Sequence, residues 1–172
     1  MKIRFWGVRG SIPTPPTDAV IGEKLKKALL HATPGDISSE ESIERFIESL
    51  PHSIKGTYGG NTTCLEVRTD DNEIIIIDCG TGIKNLSAEL MKGDFGKGKG
   101  VGTILLTHTH WDHIQGVPFF SPFYIKGNRF NIYSPFDDIK ERVEYQQVFS
   151  HFPINLNYML ATKEFFVIEK ES

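Results

Sequence analysis

Residues 101–116, VGTILLTHTHWDHIQG, place an apolar run directly before a cluster of side chains that bind metals well. The run from Val101 to Leu106 has the length and the apolar character of a buried strand. Three imidazoles and one carboxylate follow within six positions, at His108, His110, Asp112 and His113. Zinc and similar divalent ions take imidazole nitrogen and carboxylate oxygen as ligands. The pattern therefore predicts a metal centre at the end of a strand.

The spacing of these four residues predicts two ion positions. His108 and His110 are two positions apart, so both can project to one side of the strand end and reach one ion. Asp112 and His113 follow the bend and can serve a second ion about 4 Å away, as in two-metal hydrolytic sites. The alternative is a chance cluster of surface histidines. The position just beyond a buried-looking strand, where α/β-type sheets place their sites, favours the metal centre.

Composition indicates an ordinary globular protein. The chain has 172 residues, 39% hydrophobic and 24% charged, and a formal net charge of -3. No run approaches the roughly 18 apolar residues that a membrane span needs. The charge gives no strong nucleic-acid patch and no attraction to an anionic membrane. The start of the chain has too short an apolar stretch for a signal peptide, so we expect a cytoplasmic protein.

The N-terminal region predicts a strand, a turn and an insertion. Lys2 to Trp6 alternates charge and apolar bulk, as a half-buried strand does. Arg9, in the following Gly- and Pro-rich turn, is a candidate for contact with an anionic substrate or for pairing with a structural carboxylate. Residues 17–57 read as an inserted helical hairpin, with Ser38 and Glu41 as a capping box for its second helix. With five Lys or Arg against seven Asp or Glu, this insertion suits a lid, a dimer contact or simple packing better than RNA binding.

The middle of the chain predicts a hairpin that ends in a carboxylate. Strands 63–69 and 73–78 are separated by a tight reversal, and the run of isoleucines at 74–77 indicates a strand covered on both faces. Asp78 follows this strand. It can coordinate metal, orient a metal-bound histidine or cap the helix predicted at 83–91, and orienting a histidine or the backbone is our first interpretation. Cys64 and Cys79 are expected to be buried, reduced thiols rather than a disulfide or a metal pair.

The remaining segments complete one sheet and its helices. The glycine-rich stretch 93–100 predicts a mobile connector. The aromatic stretch 117–124 is interpreted as core packing or as the wall of a substrate cleft. A strand at 129–134, a helix at about 137–149 and a short strand at 164–169 follow.

Four motifs in this order resemble those of the metallo-β-lactamase-fold hydrolases. They are Gly7-Val8-Arg9-Gly10-Ser11, Tyr58-Gly59-Gly60-Asn61-Thr62, Asp78-Cys79-Gly80-Thr81-Gly82 and His108-x-His110-x-Asp112-His113. Within that group the chain looks like the phosphodiesterase branch similar to ribonuclease Z and PhnP-type proteins. The resemblance implies an α+β fold, namely a four-layer αββα sandwich, of which this chain encodes largely the N-terminal half as one mixed sheet with flanking helices.

The resemblance also implies a chemistry. Two divalent ions, with zinc as the first choice and manganese or iron as alternatives, would lie at one edge between the sheets. His108 and His110 would hold the first ion, and Asp112 and His113 the second. A hydroxide between the ions would attack a small-molecule or nucleotide-like phosphodiester, with Arg9 and Asn61 as candidate substrate contacts.

The family pattern requires further ligands that this chain does not supply. A catalytic zinc normally has three protein ligands and a water, and the motif provides two per ion. The only downstream histidine, His151, lies in a setting unlike the expected ligand. We therefore expect an incomplete metallo-hydrolase domain over 1–172 that binds metal weakly and turns over little or nothing.

Two other functions remain open. We expect a homo-oligomer that forms through the exposed sheet face or the insertion. The alternative function is therefore a non-catalytic, self-associating module with at most a structural metal. A redox di-iron enzyme on the same fold usually replaces one imidazole of the motif by a carboxylate, so the intact set favours hydrolysis.

Overall fold

The computed structural model describes residues 1–57 and 60–168. The chain divides into two compact units, which we call the sheet unit (Met1–Pro13 with Asn61–Ser172) and the helical unit (Thr14–Gly60). The strands are β1 (Lys2–Gly7), β2 (Cys64–Arg68), β3 (Ile74–Ile77), β4 (Val101–Leu105), β5 (Arg129–Ser134) and β6 (Thr162–Val167). The α-helices are α1 (Asp18–His31), α2 (Glu40–Ser49), α3 (His52–Lys55), α4 (Ile83–Leu90), α5 (Trp111–Ile114) and α6 (Ile139–Gln146). Glu169, the last residue of the predicted final strand, and Tyr58 and Gly59 of the second motif lie outside the described residues.

The sheet unit contains one mixed sheet of six strands in the order β1-β2-β3-β4-β5-β6. The first three strands are antiparallel neighbours, and β3 to β6 run parallel. The tight reversal between β2 and β3 is made with Asn72 at a φ of 62°, a left-handed conformation that asparagine tolerates better than most residues. The predicted α+β class, with a mixed sheet and flanking helices, is confirmed.

One face of the sheet carries the core. Ile76, Ile104 and Ile132 are paired across β3, β4 and β5 and are at most 3% exposed. Burial of each such side chain contributes roughly 1.5–3 kcal/mol. The core is completed by residues of α4 and α6 and by buried aromatic rings from the stretch 117–124: Ile83, Leu86, Leu90, Ile139, Val143, Phe120 and Phe123. The aromatic stretch therefore contributes to core packing.

The opposite face carries an apolar row that crosses all six strands. Strand pairing aligns Phe5, Leu65, Ile77, Leu105, Tyr133 and Phe166. Phe5 at one end is 65% exposed, and Phe166 at the other is 37% exposed. The expectation that β1 is half-buried is wrong, because β1 is an edge strand whose Ile3 and Phe5 lie on this face. The described residues form a single sheet, so they do not include the second sheet that the family resemblance implies.

The first and last residues of the helical unit are hydrogen-bonded to each other. The backbone N–H of Thr14 donates to the carbonyl of Gly60 at 2.9 Å. Within the unit, the ammonium of Lys24 on α1 donates to the carbonyl of Gly56, which follows α3, at 2.7 Å. Leu29 and Leu30 of α1 are 73% and 76% exposed.

The predicted capping box lies one residue further along the chain. Ser39, and not Ser38, caps α2, and its hydroxyl accepts from the N–H of Ser42 at 3.2 Å. Ser42 replaces the expected Glu41, and its hydroxyl oxygen accepts a hydrogen bond from the N–H of Ser39 at 2.9 Å. The hydroxyl of Ser38 instead donates to the carbonyl of Gly35, which ends the preceding turn. A run of serines can therefore shift a cap without losing it.

The connector predicted to be mobile is ordered. Residues Asp94–Lys97 form a 3-10 helix in which Phe95 is buried and stacks on Phe130 at 5.5 Å. A Cβ at Gly100 would lie 2.2 Å from the Phe95 ring, so this glycine makes room for packing. Within the described part of the chain, no helix is both long and apolar enough to cross a membrane.

Candidate metal centre

The motif that follows β4 brings three imidazole rings together. The ring centroids of His108 and His110 are 4.5 Å apart, and those of His108 and His113 are 3.9 Å apart. The Asp112 Oδ2 atom lies 3.5 Å from His113 Nε2. The four residues predicted as ligands therefore lie in one cluster, which we call the imidazole cluster.

Asp78 lies beneath this cluster. Because β3 and β4 are parallel neighbours, Asp78 at the end of β3 and Thr107 beyond β4 leave the same edge of the sheet. The Asp78 carboxylate is 2% exposed and accepts from the backbone N–H of Thr107 at 2.9 Å. Its Oδ2 lies 2.7 Å from Nδ1 of His113. An ionised carboxylate can only accept, so the hydrogen of this bond lies on His113 Nδ1, and in the neutral ring this tautomer leaves the Nε2 lone pair for a metal.

Thr107 extends this hydrogen-bond chain to a second imidazole. Its hydroxyl lies 2.9 Å from the Asp78 carboxylate and 3.0 Å from Nδ1 of His108. The hydroxyl has one hydrogen, which it donates to the carboxylate, so it accepts from His108 Nδ1–H. His108 then also keeps its lone pair on Nε2. Thr107 was not among the predicted site residues. Its position between the strand and the first histidine is the sequence feature that could have identified it.

The electrostatic setting favours ligand-competent protonation states. Burial, followed by the neighbouring His113 and His110, lowers the pKa of His108 and so favours the neutral ring. A hydrogen bond from the backbone N–H of Ser11 at 2.8 Å lowers the pKa of Asp112 and favours the carboxylate. Ser11 has a φ of 63°, an uncommon left-handed conformation for serine, and it too was missed in the sequence.

Neither of the two cysteines is a candidate metal ligand. Cys64 and Cys79 are free and buried. Burial raises the pKa of both thiols well above the ordinary range, so neither supplies a thiolate. This agrees with the predicted buried, reduced thiols.

The donor atoms of the cluster suit a divalent ion, but within the described residues they do not form a complete coordination site. Imidazole nitrogens and a carboxylate are suitable ligands for zinc. Among residues 1–57 and 60–168, however, no group of three or more His, Cys, Asp or Glu side chains is placed so that it could hold a metal ion. The imidazole cluster thus contributes candidate ligands and lacks a complete coordination shell within the described residues.

Glycines in the motifs allow neighbouring backbone segments to approach each other closely. A Cβ at Gly80 would lie 2.3 Å from the carbonyl oxygen of Asp112, and one at Gly116 would lie 2.3 Å from that of Gly80. The N–H of Cys79 donates to the carbonyl of His113 at 2.7 Å. The loop after β3 therefore fixes α5, on which Asp112 and His113 lie.

The two candidate substrate contacts lie in neighbouring loops. The backbone carbonyl of Asn61 accepts from the N–H of Arg9 at 3.0 Å, and its side-chain oxygen accepts from the Thr81 hydroxyl at 3.3 Å. Arg9 is exposed and forms an isolated β-bridge with Thr62. Arg9 lies two positions before Ser11, whose N–H donates to Asp112, whereas the Asn61 side chain already has a structural role. His151 lies elsewhere and lines a cavity beside α6.

Residues 57–126 match the family model of the Metallo-beta-lactamase superfamily. This region includes β2, β3, β4, Asp78 and the whole imidazole cluster. No curated protein and no solved structure gave a significant match. The match, together with the donor types at the end of β4, indicates in general terms a metal-dependent hydrolase.

Proposed function

We propose that this chain supplies metal ligands to a hydrolase that cleaves phosphodiesters. The observation that carries the proposal is the imidazole cluster, in which ring centroids lie 3.9 and 4.5 Å apart above a buried carboxylate. Metal-dependent hydrolysis in general is supported by the match over residues 57–126. Phosphodiester cleavage in particular rests on the family resemblance of the motifs.

Each residue has a distinct part in the proposed site. His108 and His110 would hold one ion, and Asp112 and His113 a second. Divalent ions there, with zinc as the first choice, would supply Lewis acidity and a nucleophile near neutral pH. Asp78 orients His113 directly and His108 through Thr107. Arg9, exposed on the loop that bonds Asp112, is the proposed contact for the anionic substrate.

Metal affinity tests the ligand set. We expect the purified chain to bind Zn²⁺ in competition with a chromophoric chelator, and His110→Ala to weaken binding at least tenfold because one of two ligands to an ion is lost. His151→Ala is the matched control, since that histidine lies outside the cluster. Circular dichroism verifies that each variant is folded. Equal affinity in the wild type, His110→Ala and His151→Ala would refute the metal centre.

Substrate class is tested separately with Zn²⁺ or Mn²⁺ added. We expect slow hydrolysis of bis(p-nitrophenyl) phosphate, slow because the described residues give each ion two ligands, and still slower hydrolysis of the lactam nitrocefin. The phosphodiester rate should fall to background in His110→Ala. Faster cleavage of the lactam contradicts the phosphodiester assignment, and a high steady-state rate contradicts the expected weak activity.

A second candidate function is self-association through the apolar row. Its six side chains cross the whole sheet, and Phe5 and Phe166 at its ends are 65% and 37% exposed. Two such faces can pack together about 10 Å apart, as in a β-sandwich. A second copy of this chain is the proposed partner.

A charge at the end of the row tests this candidate. We expect Phe5→Asp to raise the dimer dissociation constant at least tenfold in analytical ultracentrifugation, because a carboxylate would be buried without a partner. Tyr158→Asp, at an aromatic residue of comparable 68% exposure outside the row, should not change it. A dimer that chelator dissociates would instead indicate a metal site shared between chains.

A further inference from the structure

A cavity of ≈ 710 Å³ lies beside the imidazole cluster and takes no part in the chemistry described above. Thr109 and Trp111 line it, and they alternate along the chain with His108, His110 and Asp112. The helix α6 provides the facing wall with Arg142, Tyr145 and Gln146. The volume is in the range of small-molecule sites. One short segment thus serves the imidazole cluster and this cavity.

Several aromatic side chains line the cavity, and two of the largest are accessible to solvent. Trp111 is 78% exposed and Tyr145 is 67% exposed, which is unusual for such large rings. Phe119 contacts Phe152 edge to face at 5.6 Å, and Tyr145 contacts His151 similarly at 5.5 Å. These edge-to-face contacts restrain the Phe119 and Tyr145 rings. Accessible aromatic faces favour a flat, aromatic ligand that can stack on them.

The polar groups of the cavity narrow the choice of ligand. Arg142 is already engaged: it pairs with Asp138 at 2.7 Å, donates to the Thr109 hydroxyl at 3.3 Å and lies over the Phe136 ring. Gln115 is half-buried, and within residues 1–57 and 60–168 its side-chain amide makes no hydrogen bond. An amide offers one acceptor and two donors side by side, which match the edge of a nucleobase and have no counterpart on an alkyl chain.

We infer that this cavity binds the nucleobase of a nucleotide-like phosphodiester while the phosphate faces the imidazole cluster. This inference rests on the proposed function and specifies its substrate. Trp111 and Tyr145 stack on the base, and Gln115 pairs with its edge. Arg142 holds the wall and does not bind the phosphate.

Calorimetric titration with chelator present tests the cavity without any turnover. The probes are adenosine 5′-monophosphate and ribose 5-phosphate, which share the phosphate and differ by the base. We expect the first to bind at least tenfold tighter. Tyr145→Ala and Trp111→Ala should each weaken its binding by about tenfold, within the range of lost base stacking. Trp111→Phe, which keeps a flat ring, should retain most of the affinity, and Gln115→Ala should lose a few fold.

The matched control is Tyr158→Ala, at an exposed tyrosine outside the cavity, which should bind both probes like the wild type. Equal binding of the two probes, or tighter binding of octyl phosphate or phosphocholine, would overturn the inference. The inference would also be overturned if Tyr145→Ala lost no more affinity for adenosine 5′-monophosphate than Tyr158→Ala. Because these titrations are metal-free, they can fail while zinc binding and phosphodiester hydrolysis succeed, so the two proposals fail independently.

Discussion

Gly80→Ala is expected to lower the free energy of unfolding by about 3 kcal/mol or more, enough to unfold a marginally stable protein. A Cβ at this position would lie 2.3 Å from the carbonyl oxygen of Asp112 and 2.6 Å from that of Thr63. Both obstacles are backbone atoms, which cannot rotate away as the end of a flexible side chain does. The N–H of Gly80 also donates to the Thr63 carbonyl at 2.8 Å, so the loop cannot withdraw without losing that bond.

Urea denaturation followed by circular dichroism measures this effect. Gly10→Ala is the matched control in the same unit, because a Cβ there would have nothing within 4 Å. We expect the control to change stability by no more than about 0.5 kcal/mol. Similar losses in the two variants would show that the close approach of the loops does not govern the effect.

Asp78→Ala is expected to destabilise the protein by about 3 kcal/mol and to weaken zinc binding by about 10- to 100-fold. The substitution leaves the Thr107 N–H and His113 Nδ1–H without their acceptor. Alanine is also strained at the φ of 60° that Asp78 adopts. The affinity falls because His113 and His108 both lose the group that orients them.

The conservative variant Asp78→Asn separates these effects. Asparagine tolerates the left-handed conformation and keeps one acceptor, so we expect a smaller loss of stability than for alanine. Asp71→Ala, at an exposed aspartate of the same unit, is the control. If zinc affinity stays unchanged in a folded Asp78→Ala protein, the orienting role is refuted.

The sheet could be predicted because its strands have clear sequence signals. The isoleucines at 74–77 and the apolar run at 101–106 each gave a strand within one residue of its observed end. The proximity of Asp78 to His113 also followed from two neighbouring strand ends. Local pattern suffices in these cases because burial and periodicity decide the structure.

Other features depend on contacts between distant segments, which the local pattern does not contain. The alternation in β1 predicted burial of its apolar side chains. Whether Ile3 and Phe5 are covered depends on contacts with distant residues, which the alternation does not reveal. The connector at 93–100 has the composition of a flexible linker, yet Phe95 finds a partner in Phe130. The roles of Thr107 and Ser11 required knowledge of the loops that meet at Asp78 and Asp112.

The hydrogen bond between Thr14 and Gly60 has an evolutionary consequence. A segment whose two ends lie together can be lengthened, shortened or exchanged without changing the path of the chain on either side. The helices between these residues are thus a module open to recombination, whereas the glycine-lined loops around Asp78 leave little freedom for mutation. Natural variants should therefore diverge fastest between positions 14 and 60.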